Sequence, residues 1–399
     1  MSFSSNRIYR MQNPVQNYAW GSKDALHDMY GVANPEGKPQ AEIWMGAHPN
    51  GCSSLIDENG ETQRLDAFIA QDAAAVLGDA YTNFGELPYL FKVLAAAEPL
   101  SIQVHPDKAS SEAGFAAENA AGVPLNAAHR NFKDPNHKPE LVFALTPYRA
   151  MNGFREFGEV VSLVQSLMLP ALQAEIDAFC QHPDSDTLKA LFGASLRLQG
   201  DARRETVAAL LETAQKRQQE EAFAEILRLA AFYPEDMGLF APLLLNVITL
   251  QPGDAMFLYA CTPHAYLQGV GLEAMASSDN VLRAGLTPKH MDIDALLANV
   301  DFVAKPASEL PMKPMVLGPV SDYPIPVADF SFTLVNLTQE LLDSETTTAL
   351  ILFCVTGNAV IRSGEQALTL RAGESCFVPA GVGSFTVSGD GQLVQIGSR

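Results

Sequence analysis

Between Asp201 and Met237 the chain has no glycine, and the stretch RRETVAALLETAQKRQQEEAFAEILRLAAF is rich in Ala, Leu, Glu, Gln and Arg. Val207, Leu210 and Leu211, then Phe223, Ile226 and Leu227, recur at helical spacing. Asp201 suits an N-cap and Pro234 a stop. An earlier run, GEVVSLVQSLMLPALQAEIDAFC, predicts one or two more helices broken near Pro170. The flanks differ. Residues 1–154 read as short strands and loops punctuated by Pro and Gly, with one helical patch around 64–77. Strand character returns after Phe240 in LLLNVITLQPGDAMFLYACTPHAYLQG. From about 320 onward, FTLVNL, TALILFCVTG, NAVIRSG, QALTLRAG, ESCFVPAG, SFTVSG and QLVQIG are short strands at regular spacing, the pattern of a sandwich or jelly roll. A helical unit therefore interrupts a mainly β protein.

A length of 399 residues is too much for one ordinary core and implies two or three domains. With 47% hydrophobic and 18% charged residues the chain is globular rather than disordered. Its formal net charge of −20 argues against nucleic acid and anionic membrane as partners. The first residues lack the apolar run of a signal peptide, and no stretch approaches a membrane helix. Five scattered cysteines without CxxC spacing argue against a disulfide framework or a cysteine zinc site, so a reducing cytoplasm is expected. The acidic bias is absent only from residues 92–154, which hold 6 basic and 6 acidic residues. That window matters only if its residues also carry chemistry.

They include candidates. In SIQVHPDK, Gln103 and His105 are two apart and share a face on a strand. HKPELVFAL places Glu140 at the start of an apolar strand, and TPHAYLQG places His264 at a strand entrance after a proline turn. Two imidazoles, a carboxylate and an amide oxygen suit a zinc-type ion with an open position. Spacing alone leaves the ordinary readings open as well: a strand-end histidine bonded to backbone, and a surface salt bridge for Glu140.

The chain resembles the type I mannose-6-phosphate isomerases, zinc enzymes of the cupin superfamily. The resemblance rests on YAWGS (18–22), AEIWMGAHP (41–49), LPYLFKVLAAAEPLSIQVHPDK (87–108), NHKPELVFAL (136–145), PHAYLQG (263–269) and EAMASSDNVLRAGLTPKH (273–290). It implies two cupin-type jelly-roll units plus an α-helical domain: a catalytic cupin from 1–154 with 236–318, a helical insertion over 155–235, and a C-terminal cupin over 319–399. It implies one Zn2+ per chain, bound by Gln103, His105, Glu140 and His264. It implies interconversion of mannose 6-phosphate and fructose 6-phosphate through a cis-enediol(ate), which sets three tasks. Zinc, with Arg283 as an always-charged donor, would polarise the sugar oxygens. Asp279 and Lys289 would form a proton-transferring pair, with His137 and Lys138 near the sugar ring. Ser101, Lys92, Lys138 and Arg283 would hold phosphate. Taken as ordinary residues, Arg283 would pair with Asp279, and Lys92 would be a surface lysine beside an apolar strand. Glu42, Glu273 and His48 are expected only as supporting partners.

In the last unit, Gly373, Pro379 and Gly381 match part of the second cupin motif, but Ser384 stands where a histidine is expected, and no histidine follows His290. That unit should hold no comparable metal. The run ending in His264 keeps its histidine, so the two runs form a candidate internal repeat. The expected protein is a monomer acting on a small sugar phosphate. A non-catalytic sugar-phosphate-binding cupin is the alternative. An iron dioxygenase would want a His-rich triad, which the glutamine ligand argues against.

Overall fold

A computed structural model describes residues 3–399. Two 11-stranded sheets, antiparallel throughout their strand ladders, share an apolar core, and a set of helices packs against the strands of one of them. One sheet runs Met315–Leu317, Val320–Tyr323, Ser331–Leu337, Ser384–Gly397, Leu350–Ser363 and Ser375–Val378. It is then extended by Tyr9–Gln12, Ser54–Ile56 and Thr62–Arg64. Three strands from the first 64 residues thus complete the C-terminal sheet, which the expected division at 319 did not anticipate. Short polar strands such as Thr62–Arg64 carry no register signal of their own; pairing with Arg10–Gln12 through Ser54–Ile56 places them.

The other sheet carries the metal candidates. Its spine is Pro311–Met312, Ala255–Leu258, Glu140–Ala144, His264–Ala276, Tyr89–Ala96, Glu42–Met45 and Val15–Gln16. Gln103–Val104, Tyr148–Phe154, Leu245–Leu250 and Leu282–Arg283 branch from this path. In Tyr89–Ala96 every residue is buried, because both faces are covered. Tyr89, Phe91, Val93 and Ala95 share a core with Phe353 and Ile396 of the C-terminal sheet, while Lys92 and Leu94 face the opposite way.

Helices occupy Phe157–Val164, Gln173–Gln181, Ser185–Arg197, Gly200–Lys216 and Glu221–Ala230. A 3-10 turn at Pro170–Leu172 marks the predicted break. The glycine-free stretch forms two helices in which Val207, Leu210, Phe223 and Ile226 are buried as the spacing requires, while Leu211 and Leu227 are only partly buried and Leu229 completes the buried face. Asp201 is not the N-cap: it lies inside the first turn and pairs with Arg204. Helical backbone also continues past the expected boundary at 235, through Met237–Phe240 to Ala241–Leu244. No helix among the described residues is long and apolar enough to cross a membrane.

The helices are one body with the site strands. Ile102, Val104, Ala265, Leu282 and Ala284 sit in the same apolar core as Phe154, Phe179, Phe192 and Phe223. Period-two alternation then forces Gln103, His264 and Arg283 onto the opposite face. The helical unit is therefore a wall behind the strands that present the candidate ligands.

The candidate repeat is visible in the backbone. Gly253 and Gly373 both adopt positive φ before a four-residue strand, Ala255–Leu258 or Ser375–Val378. A five-residue connection follows each, then a long strand that begins at His264 or at Ser384. Ser384 thus occupies the place of His264.

Candidate metal centre

Cross-strand pairing builds one row. His264 lies opposite Gln103, and Arg283 lies opposite Gln103 on its other side. Directly opposed residues of antiparallel strands project to one face. Gln103 Nε2 donates to Ser101 Oγ at 3.3 Å, so its Oε1 is left for another partner. Ser101 and Gln103 line a cavity of about 60 Å3 with Lys92, Lys138, Glu140, His264, Tyr266 and Glu273. A larger cavity of about 840 Å3 lies elsewhere, between the N-terminal strand and Ser363–Leu368. Its lining includes no histidine or cysteine, and chemistry rather than size selects the smaller one.

Glu140 is the centre of the small cavity. Its Oε1 is 3.3 Å from His105 Nε2 and 2.9 Å from Lys138 Nζ; its Oε2 is 3.6 Å from His264 Nε2. Tyr266 donates its hydroxyl to Oε2 at 3.3 Å. The tautomers of both imidazoles are decided by backbone. His105 Nδ1–H donates to Asn280 O at 2.6 Å and His264 Nδ1–H to Thr262 O at 2.9 Å. Carbonyls only accept, so each Nε2 presents its lone pair to the carboxylate.

This arrangement fits a cation. His105, Glu140 and His264 are the group among the described residues able to offer three ligand atoms within 4.8 Å of one another, and all three are buried. His105 Nε2 is buried without a hydrogen-bond partner. Burial, reinforced by the Lys138 charge, pulls the His105 pKa from 6.5 down to about 4, so the ring is neutral. Two acceptors at 3.3 Å need a positive centre between them, and ligand atoms around a tetrahedral zinc stand roughly 3.3 Å apart. Burial alone would raise the Glu140 carboxyl, but the Lys138 charge holds it well below the usual carboxylate range. Gln103 Oε1, opposite His264, is the available neutral fourth donor.

A pH dependence follows. In metal-free protein, the unfolded chain takes up a proton on His105 below about pH 6.5 that the folded chain refuses until about pH 4. Stability contributed by this residue is intact above pH 6.5 and is lost as pH falls through that window. Urea unfolding in the presence of chelator should show this loss, and replacing His105 by Asn should flatten it.

A second buried network lies behind Glu140. Lys92 Nζ is 2.8 Å from Glu273 Oε2 and 3.7 Å from Glu42 Oε1, and it lies 5.4 Å from the Trp44 ring centroid. Trp44 Nε1–H donates to Glu42 at 2.7 Å. Burial disfavours the Lys92 charge, but Glu273 and Glu42 overcome this and raise its pKa. Lys92 is therefore neither a surface lysine nor a free anion anchor: two carboxylates already occupy it. Lys92→Ala should destabilise the protein by about 3–5 kcal/mol, read from denaturant unfolding, because two buried carboxylates lose their counter-charge.

The remaining candidates separate. Lys138 and Glu140 are two apart and meet; His137, one residue earlier, points the other way. Its Nε2 is 3.0 Å from both carboxylate oxygens of buried Asp329, next to the C-terminal sheet. The structure thus ties His137 to that sheet instead of the sugar cavity. Asp279 does not pair with Lys289 or Arg283. It faces His48 Nε2 at 3.5 Å and accepts from Asn50 Nδ2 at 3.4 Å. The His48 hydrogen bond, against burial, holds its carboxyl below the usual range. Lys289 lies at the surface, and partial desolvation, with the charges of Arg283 and Lys133, lowers its pKa. Arg283, Lys133 and Lys289 lie near one another and form no ion pair among the described residues, and Arg283, opposite Gln103, sets this cationic rim beside the cavity. Nothing in the sequence singles out Lys133, because a lone lysine in a loop carries no periodic signal.

Comparison with known proteins agrees with this geometry. Family models match three stretches: phosphomannose isomerase type I, catalytic domain (residues 8–157); its helical insertion domain (168–245); and a mannose-6-phosphate isomerase cupin domain (320–397). A mannose-6-phosphate isomerase of Salmonella typhimurium is 54% identical over 390 residues, covering 98% of this chain and 99% of the relative. The chain belongs to the type I phosphomannose isomerase family. The human mannose-6-phosphate isomerase is 34% identical over 352 residues, 82% of this chain and 81% of its own. Among solved phosphomannose isomerases, a zinc-bound structure matches with TM-score 0.94 and 53% identity over 98% of this chain and 99% of its own. A Salmonella typhimurium structure described as bound to fructose 6-phosphate and zinc matches with the same values.

Proposed function

We propose that this chain interconverts D-mannose 6-phosphate and D-fructose 6-phosphate as a zinc-dependent aldose–ketose isomerase. The observation that carries the reading is the buried His105–Glu140–His264 triangle, whose lone pairs converge beside an unpaired cationic rim. The zinc-bound and substrate-bound relatives support it. The reaction is a 1,2-proton shift: the ring opens, a proton leaves C2, and the cis-enediol(ate) is held until C1 is protonated.

His105, Glu140, His264 and Gln103 hold the zinc, which supplies a Lewis acid for developing negative charge on the sugar oxygens. Three neutral ligands and one carboxylate leave the site a formal +1. Arg283, in the same row as Gln103 and His264, donates to the enediolate from a half-buried position where no carboxylate neutralises it. Lys138 reaches into the cavity beside Glu140 and moves or steadies the proton in that low-dielectric space. Asp279, kept ionised by His48, is suited to accept a proton during ring opening. Ser101 and the rim cations Lys133, Lys289 and Arg283 receive the phosphate. Lys92 shapes the cavity through Glu273 and Glu42 rather than binding phosphate.

Five scattered cysteines without CxxC spacing suit a reducing cytoplasm. The test is direct: the purified, zinc-loaded protein should convert fructose 6-phosphate to mannose 6-phosphate in a coupled assay. Protein with full zinc content and no conversion would refute the isomerase reading and leave a binding cupin.

A further inference from the structure

Asn280 joins two parts of the site that the chain brings together from far apart. It is wholly buried, in the segment that links His264–Ala276 to Leu282–Arg283. Its backbone carbonyl accepts the Nδ1–H of His105 at 2.6 Å. Its carboxamide grips the loop that leads into Lys138 and Glu140. Oδ1 accepts from the backbone N–H of Lys133 at 2.7 Å and of Asp134 at 3.3 Å. Nδ2 donates to the backbone carbonyls of Asp134 at 2.7 Å and Asn136 at 2.9 Å. Backbone donors and acceptors leave no ambiguity about which way the amide points.

The loop grips back. Asp134 accepts from Ser278 Oγ at 2.8 Å and from the Asp279 N–H at 2.8 Å. Asn136 Nδ2 donates to Ser277 O at 3.3 Å. Residues 133–136 are thus zipped onto 277–280. Four loop groups, two donors and two acceptors, meet a side chain with two of each; no other side chain of this size offers that set.

We propose that Asn280 is a positioning residue that makes the metal centre and the cationic rim a single unit: its carbonyl orients the ligand His105 while its carboxamide sets the loop bearing Lys133 and Lys138. The proposal rests on the isomerase reading for what the rim binds, but its metal half stands without it. A shift of this loop displaces Lys133, Lys138 and the Asn280 carbonyl together, so zinc affinity and sugar-phosphate binding are coupled through one residue.

The test is Asn280→Asp, equal in size but with acceptors where the loop carbonyls need donors. Zinc affinity is read by competition with a chelator, KM and kcat for fructose 6-phosphate at zinc saturation, and amide hydrogen exchange over residues 133–136. The zinc Kd should weaken about 10- to 100-fold, the usual effect of disturbing a ligand's partner. KM should rise by a larger factor than kcat falls, and exchange of the Lys133 and Asp134 amides should accelerate. A folded variant with wild-type zinc affinity and KM overturns the proposal. Should Asn280→Asp fail to fold, Ser278→Ala loosens the same zipper more gently; zinc affinity and KM should then both worsen, and a change in neither or in only one overturns it. A wild-type protein that binds zinc without turnover would strike the isomerase reading instead, and the zinc and exchange measurements would still decide the role of Asn280.

Discussion

A His264→Ala variant is expected to fold, to purify without zinc, and to lose isomerase turnover by about 1000-fold or more. The side chain makes few structural bonds: Nδ1–H to Thr262 O, and Nε2 facing Glu140. Its removal leaves the ion pair of Glu140 with Lys138 intact, so no buried charge is orphaned. What disappears is one of two neutral imidazoles in a site that has no spare ligand. Metal content by atomic absorption and turnover of fructose 6-phosphate should fall together. Full activity in a metal-free His264→Ala protein would refute the metal assignment, and with it the reason this fold is asked to hold an enediolate.

Arg283→Ala should separate charge stabilisation from metal binding. Arg283 sits across from Gln103 but supplies no lone pair, so zinc content should remain at the wild-type level. The variant should lose about 100- to 1000-fold in kcat, the usual loss when one preorganised donor to a developing oxyanion is removed. Burial lowers the pKa of Arg283, and a guanidinium tolerates this because its intrinsic pKa is so high. Lysine at the same position would carry a compact charge without the planar fork, so Arg283→Lys should recover little. An unchanged kcat in Arg283→Ala would remove Arg283 from the mechanism. Loss of zinc along with kcat would make it a structural residue of the strand.

His264 and Arg283 are both legible in the amino-acid order, His264 through its proline turn and strand entrance together with the motif resemblance, Arg283 through the resemblance alone. Gln103, His105 and Glu140 are legible through strand pattern and resemblance together, and the order also shows that no histidine follows His290. The buried Lys92 network is not. A lysine between Phe91 and Val93 looks like a surface residue until Glu42 and Glu273, from two neighbouring strands, are seen to flank it. His137 misleads for a related reason. It is adjacent to Lys138, but extended backbone sends neighbouring side chains to opposite faces, and Asp329, 192 residues away, stands on the other one. Lys133 and Asn280 carry no pattern at all; their roles exist only where two loops meet.

The amino-acid order by itself determined the local periods: helix over the glycine-free stretch, strands around it, and which side chains share a face with Gln103 and His264. Those properties depend on residues two to four positions apart. Tertiary structure alone decided which faces meet. It placed three N-terminal strands in the C-terminal sheet, gave Lys92 its carboxylates and His137 its aspartate, and left Arg283, Lys133 and Lys289 unpaired at the rim of an acidic protein. Hydrogen bonds and charges act over a few ångströms of space, whatever the separation along the chain, so the local sequence around each of these residues could not reveal its partner.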